Sequence, residues 1–160
     1  MVLYPTEIKI SRSLRKRLKR QEFELSFDHC FAQVIEECAI SRQATTGTWI
    51  TPAMQNAYTQ LHQQGYAHSV EVWQNKQLVG GLYGLALGGM FFGESMFSKV
   101  SDASKVALVK LTQHLEKQGF SLIDCQVYSD HLASLGAKEI SRELFLQTLA
   151  KATRAEVNFL

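Results

Sequence analysis

The opening stretch "MVLYPTEIKI" lacks any apolar run long enough for a signal peptide or a membrane span, so a cytoplasmic protein without a membrane partner is expected. Cysteine is scarce: Cys30, Cys38 and Cys125 are odd in number and form no CxxC pair, which argues against a disulfide framework or a zinc knuckle. Each sits in an apolar context and reads as a buried free thiol. There is no Pro/Ser-rich linker, internal repeat or low-complexity segment, so the 160 residues read as one domain, 1–160. GxxxxGK[ST], a strand–GxGxxG–helix unit, GxSxG and HExxH are also missing, which removes four enzyme classes. The five histidines are scattered, and His68 on "AHSVEVW" reads as a satisfied core histidine. Gly80, Gly81, Gly84, Gly88, Gly89 and Gly93 are too dispersed to cradle a phosphate; in strands they serve bends or the close approach of a ligand.

What is present is ordinary for a globular chain, with 46% hydrophobic and 20% charged residues, and a domain of this size buries roughly 70% of its unfolded surface. Net charge is only +2, yet "KISRSLRKRLKRQ" holds seven of the seventeen basic residues: Lys9, Arg12, Arg15, Lys16, Arg17, Lys19 and Arg20. No acidic residue interrupts the run, so pairing within it cannot balance the charge. It is either a solvated helix face or a surface for an anionic partner such as a phosphate backbone.

Periodicity then gives a short strand at "FELSF" and a helix from Phe27 to Cys38 with apolar residues at helical spacing. "RQATTG" reads as a loop. Thr51 and Pro52 begin a helix that Gly65 closes. Three strands follow, "AHSVEVWQ", "QLVGGLYGLALG" and "MFFGESMF", the first two joined by an "NK" turn. The helix in "SDASKVALVKLTQHLEKQG" is capped by Ser101 or Asp102 and carries Leu108, Leu111 and Leu115 on one stripe. "SLIDCQVY" reads as a buried strand and "SRELFLQTLAKATR" as a last amphipathic helix. The order predicts a mixed α/β (α+β) domain around one mostly antiparallel sheet.

Two stretches carry polar groups where apolar ones are expected. In "FFGESMF" the carboxylate of Glu94 needs a partner or a task, since an unpaired buried charge is costly. In "LIDCQVY", Asp124 and Gln126 lie two apart on the expected strand and so share a face. The three form either a hydrogen-bond network tying two strands together or a reactive cluster.

"GTWIT", "AHSVEVW", "LVGGLYG", "FFGESMFS", "ASKVAL", "LIDCQV" and "HLASLGA", in this order and preceded by "ISRSLRKRLKR", resemble the leucyl/phenylalanyl-tRNA–protein transferase family over residues 3–150. The resemblance implies a GNAT-like acyltransferase fold without acetyl-CoA or any other cofactor or metal, aminoacyl-tRNA being a co-substrate. It implies transfer of Leu, Phe or Met from tRNA to proteins beginning with Arg or Lys, tagging them for degradation by the N-end rule. It further implies that Asp124, Gln126 and Glu94 surround the aminoacyl ester, with Gln126 positioning the amine or carbonyl, Asp124 polarising it, and Glu94 holding the α-amino group or terminal ribose. Leu82, Phe91, Leu108, Leu111, Leu115 and Ile123 correspond to the side-chain pocket, although each also reads as ordinary core. Trp49 and Tyr58 correspond to aromatics near the terminal adenosine, and Arg12, Arg15, Lys16, Arg17, Lys19 and Arg20 to an acceptor-stem contact within a basic segment, 1–21. Family members carry a further N-terminal domain with a motif like "FPW…WWSPDPR", expected here to be absent. The rival readings are a reduced paralogue that binds an aminoacyl-tRNA end without transferring, and a small-molecule GNAT acyltransferase. The latter needs a Q/R-x-x-G-x-G/A loop before "ASKVAL", and none is found.

Overall fold

Asn75 and Lys76 both take positive φ, 51° and 62°, the backbone of the tight two-residue turn that matches the twist of paired strands. This turn joins β3 (Ala67–Gln74) to β4 (Gln77–Leu87), and a Gly88–Gly89 turn joins β4 to β5 (Met90–Ser98), giving the expected antiparallel meander. The computed structural model describes residues 1–43, 47 and 49–160. The loop read over "RQATTG" falls at 44–46, outside the described residues, while Arg42 and Gln43 end a helix.

In chain order the elements are β1 (Val2–Leu3), a 3-10 turn at Pro5–Glu7, α1 (Arg12–Lys19), β2 (Glu24–Phe27), α2 (Phe31–Gln43) and α3 (Pro52–Gln63). The meander β3–β5 follows, then α4 (Ala103–Lys117), β6 (Leu122–Asp124), α5 (Asp130–Ser134) and α6 (Arg142–Ala152). The six strands form one sheet in the order β1-β6-β5-β4-β3-β2. Every neighbouring pair is antiparallel except β5 and β6, which run parallel because α4 carries the chain back across the sheet. The sheet is thus mixed, mostly antiparallel and flanked by helices.

Each face is covered by a different set of helices. On one, Val70, Val72, Leu82, Phe91 and Ile123 pack against Val106, Leu111 and Leu115 of α4 and Leu14 of α1. On the other, Tyr83 and Phe97 pack against Phe31, Val34, Ile35 and Cys38 of α2 and Tyr58 of α3. Thr51 caps α3 as expected, its hydroxyl accepting from Met54 N–H. The expected cap of α4 is corrected: Asp102 holds the position with φ 64°, but its carboxylate turns to Lys105 Nζ (3.0 Å), and Ser98 Oγ accepts the Ser104 N–H instead.

The most deeply buried carboxylate is Glu71, fully enclosed on β3, which sequence reading passed over inside "AHSVEVW". It accepts from Ser26 Oγ (2.6 Å), Ser69 Oγ (2.5 Å) and His29 N–H (3.3 Å), and Trp73 Nε1–H donates to Ser26 Oγ (2.8 Å). These bonds offset the desolvation of the charge and tie β2 to β3. His68 is the satisfied core histidine expected, with Nδ1 2.7 Å from Asp28 Oδ2 and Nε2 3.1 Å from Gly65 O.

The glycines of β4 serve close packing within the protein. A Cβ on Gly80 would stand 2.5 Å from Ala103 Cβ at the start of α4, and one on Gly84 would stand 2.2 Å from Phe92 O and 2.5 Å from the Phe91 ring. Gly84→Ala is therefore expected to lower the free energy of unfolding by about 1–3 kcal/mol, as overpacking does. Urea denaturation measures it, and an unchanged midpoint would show that β4 and β5 part freely there.

Candidate active site

The parallel pairing of β5 with β6 is brief. Met90, Phe91 and Phe92 face Leu122, Ile123 and Asp124, and there the ladder stops, while β5 runs on to Ser98 alongside β4. Beyond Phe92 and Asp124 the two chains separate, and a cavity of about 220 Å³ lies at the parting. An apolar cavity of roughly 150 Å³ already takes up benzene, so this one has room for a leucyl or phenylalanyl side chain.

Its floor is apolar: Leu82, Phe91, Met96, Leu108, Leu111, Ile123 and Leu132. Its polar groups are Arg42, Tyr83, Glu94, Ser95, Gln126, Tyr128 and Ser129. Glu94 owes its place to a β-bulge. Tyr83 pairs with Ser95 and the next residue, Gly84, pairs with Gly93, so Glu94 has no partner across the ladder. The extra residue reverses the alternation of β5, and Phe91 and Phe97, which a regular strand would place on one face, belong to opposite cores. The Tyr58 hydroxyl stands near the Glu94 carboxylate, and burial, with that carboxylate second, pushes its ionisation well up.

The expectation that Asp124 and Gln126 share one face of a strand is corrected. β6 ends at Asp124, and Gln126 has φ +60°, a left-handed conformation that an unbranched L residue keeps only under local constraint. Two hydrogen bonds supply it. Gln126 N–H donates to Asp124 Oδ1 (2.8 Å), and Gln126 Nε2–H donates to Gly93 O (3.1 Å), a carbonyl just past the last β5–β6 pair. The acceptor Gly93 O settles which end of the amide is which, leaving Oε1 as an acceptor toward solvent. Glu94 and Gln126 therefore line one cavity, whereas Asp124 lines a separate depression with Val2, Ile140, Arg142 and Phe145, which Gln126 borders too, and Asp124 meets the cavity through Gln126.

Of the expected pocket residues, Leu82, Phe91, Leu108, Leu111 and Ile123 line the cavity; Leu115 is wholly buried in the α4 core and does not. Tyr58 meets the site through Glu94, and Trp49, 46% exposed, lies outside the lining. On α1, Arg12, Arg15, Lys16 and Lys19 are exposed with no ion pair among the described residues. Arg17 (3.6 Å) and Arg20 (3.4 Å) pair with Glu22, which lies just past the run and corrects the picture of an uncompensated block. Arg42, Tyr83, Met96 and Cys125 are lining residues that sequence reading missed, and only tertiary contact gathers them. The Tyr83 hydroxyl is buried with no hydrogen-bond partner among the described residues, a state that costs about 1–3 kcal/mol. Among those residues no group of three His, Cys, Asp or Glu side chains is placed to hold a metal, and no helix is long and apolar enough to cross a membrane.

A mixed sheet with a crossover helix and a parallel pair that parts over a cavity is a GNAT-like acyltransferase architecture. L-PGS from Bacillus licheniformis superimposes with a TM-score of 0.56 at 11% identity, over 93% of this chain and 50% of that one. An aminoglycoside acetyltransferase from an uncultured soil metagenomic sample does so with a TM-score of 0.52 at 11% identity, over 84% and 89%. These are likenesses of fold alone. Within that class the assignment is narrower: residues 2–150 match the model of the leucyl/phenylalanyl-tRNA protein transferase family, and the chain belongs to that family. Similar relatives are the leucyl/phenylalanyl-tRNA–protein transferases of Chromohalobacter salexigens (59% identical over 99% of this chain) and Nitrosomonas eutropha (58% over 96%). The chain spans 62% and 65% of the lengths of these two relatives.

Burial, aided by the nearby charges of Glu71 and Asp124 respectively, raises the thiols of Cys30 to about 11 and Cys125 to about 12, and burial raises Cys38 to about 12. In the unfolded chain they ionise near the ordinary 9.0, so above that pH the unfolded state loses protons that the folded state keeps. Conformational stability is expected to hold to about pH 9 and to fall between pH 9 and 12. Denaturation midpoints at pH 8, 9.5 and 10.5 read this directly; a flat profile counts against buried thiols.

Proposed function

We propose that this chain transfers leucine, phenylalanine or methionine from aminoacyl-tRNA to the N-terminal amine of proteins that begin with Arg or Lys. The observation that carries the reading is the side-chain-sized apolar cavity ending at the Glu94 carboxylate and the Gln126 amide, in a chain of this family.

The substrate arrives as an activated ester, so what is needed is orientation and the handling of one proton. The aminoacyl side chain fills the floor formed by Leu82, Phe91, Leu108, Leu111 and Ile123. Its α-ammonium group meets the Glu94 carboxylate, which has the Tyr58 hydroxyl nearby. The incoming amine donates an N–H to Gln126 Oε1, which aims its lone pair at the ester carbonyl carbon. The C–N bond forms, the ester C–O bond breaks, and the proton lost by the amine ends on the departing ribose oxygen. Gln126 serves as an acceptor and not as a base, because an amide carbonyl does not take up a proton near neutral pH. Asp124 is a positioning residue, holding the strained turn that presents Gln126. The free cations of α1, namely Arg12, Arg15, Lys16 and Lys19, suit the phosphates of an acceptor stem.

An acetyl-CoA reaction finds less support. An anion at a helix N-terminus needs free N–H groups. On α4 the Ala103 N–H already bonds Val100 O (3.3 Å) and the Ser104 N–H bonds Ser98 Oγ (3.1 Å), and the N-cap residue Asp102, its carboxylate paired with Lys105, puts negative charge there.

Incubation with labelled Leu-tRNA or Phe-tRNA and an acceptor bearing N-terminal Arg is expected to place label on that amine, and none on the same acceptor with its amine acetylated. Binding of an aminoacyl-adenosine without transfer would favour the reduced, binding-only reading. Absence of both would refute the assignment.

The role given to Asp124 has its own test. Asp124→Asn keeps an Oδ1 acceptor for Gln126 N–H and is expected to retain most activity, whereas Asp124→Ala is expected to lose about tenfold or more in kcat with little change in KM. Equal damage from the two variants would instead assign Asp124 a role through its charge.

A further inference from the structure

Tyr83 stands where the apolar floor of the cavity meets its polar rim, on β4 directly across the ladder from Ser95 and beside the Glu94 bulge. Its ring is fixed edge-on against Tyr58 (5.3 Å between centroids, 77°) and Phe31 (5.8 Å, 79°), so the hydroxyl cannot swing toward solvent. The side chain is 1% exposed, and its hydroxyl has no hydrogen-bond partner among the described residues. Ser95 Oγ, across the ladder, is likewise buried with no hydrogen-bond partner among the described residues. A fully enclosed, unpartnered hydroxyl in the wall of a ligand cavity is a donor waiting for the ligand's acceptor.

The chemistry of that acceptor follows from the neighbours. Burial, and then Cys38, Tyr58 and Glu94, keep the Tyr83 hydroxyl protonated, so it offers a hydrogen. Glu94 beside it offers acceptor oxygens, with the Tyr58 hydroxyl also near them. A ligand group lying between Tyr83 and Glu94 must accept from the first and donate to the second. An ammonium cannot accept and a carbonyl cannot donate, whereas an alcohol does both. Within the reaction proposed above, on which this step rests, the alcohol next to the ester is the free vicinal hydroxyl of the terminal ribose. We propose that Tyr83 is a substrate-binding residue whose hydroxyl donates to that ribose hydroxyl, which in turn donates to Glu94.

The test pairs Tyr83→Phe with two non-hydrolysable ligands, 3′-phenylalanylamido-3′-deoxyadenosine and its 2′-deoxy counterpart. Removing the 2′-hydroxyl is expected to weaken binding to the unaltered protein about tenfold, and Tyr83→Phe to weaken the ribose ligand by a similar factor. The two changes together are expected to cost no more than removal of the 2′-hydroxyl alone, because that removal already takes away the bond that Tyr83→Phe deletes. Tyr83→Phe is also expected to unfold at the same urea concentration as the unaltered protein or a higher one, since it deletes an unpaired polar group.

Equal binding of both ligands by the two proteins overturns the role, as do tenfold losses that multiply, which would point to the ester carbonyl as the acceptor. A lowered unfolding midpoint also overturns it, by showing that the hydroxyl is already satisfied within the protein. If the unaltered protein binds neither ligand, the aminoacyl-adenosine site itself falls, an outcome distinct from losing Tyr83 alone.

Discussion

Two parallel strands that stop pairing create the opening on which the chemistry depends. While β5 and β6 remain side by side, their backbone groups satisfy one another and no ligand can enter. After Phe92 and Asp124 the pairing ends, and polar backbone must find other partners. Gly93 O takes the Gln126 amide, the Gln126 N–H takes Asp124, and the space between the strands is lined from α4 by leucines. Compensation for the broken ladder and assembly of the site are the same set of contacts. That explains why Gln126 is held in an unfavourable backbone conformation: relaxing it would leave the Gly93 carbonyl unanswered.

Two carboxylates on this sheet show how differently the protein treats buried charge. Glu71 is wholly enclosed and surrounded by donors from Ser26, Ser69 and the His29 amide. Its oxygens are committed, and its effect is to fasten β2 to β3. Glu94 is only partly covered, has a tyrosine hydroxyl at one side and faces a cavity. A charge with capacity left over beside an apolar hollow suits a ligand that is both greasy and cationic, which describes an aminoacyl group.

Much of the fold was legible in the sequence because local chemistry and tertiary structure agree. The "NK" turn, the Thr51–Pro52 helix start and the alternation in β3–β5 each have a local cause that survives packing. The failures lie where the cause is not local. β1 is two residues long and exists only because β6 offers an edge. "LIDCQVY" is apolar enough for a long strand, but its partner strand has already turned away by Cys125. Asp102 has the side chain of a cap, yet Lys105 claims it. At the site, Glu94 stood out as a lone acid in an apolar run, and the "DCQ" residues through a family resemblance. Nothing in sequence separation joins Arg42 or Tyr83 to them. Leu111 and Leu115 look equivalent on one helical stripe, and only the curvature of the cavity distinguishes wall from foundation.

The bulge at Glu94 also bears on how such a protein can change over generations. A one-residue deletion there would make Gly93 and Ser95 neighbours, still opposite Gly84 and Tyr83, so Ser95, Met96 and Phe97 would keep their partners and their faces. Lineages can therefore lose this acid, and the kink with it, while the residues of both cores stay on the sides they now occupy. A descendant that abandoned the chemistry would be free to straighten the strand, so the kink persists only where its acid is used.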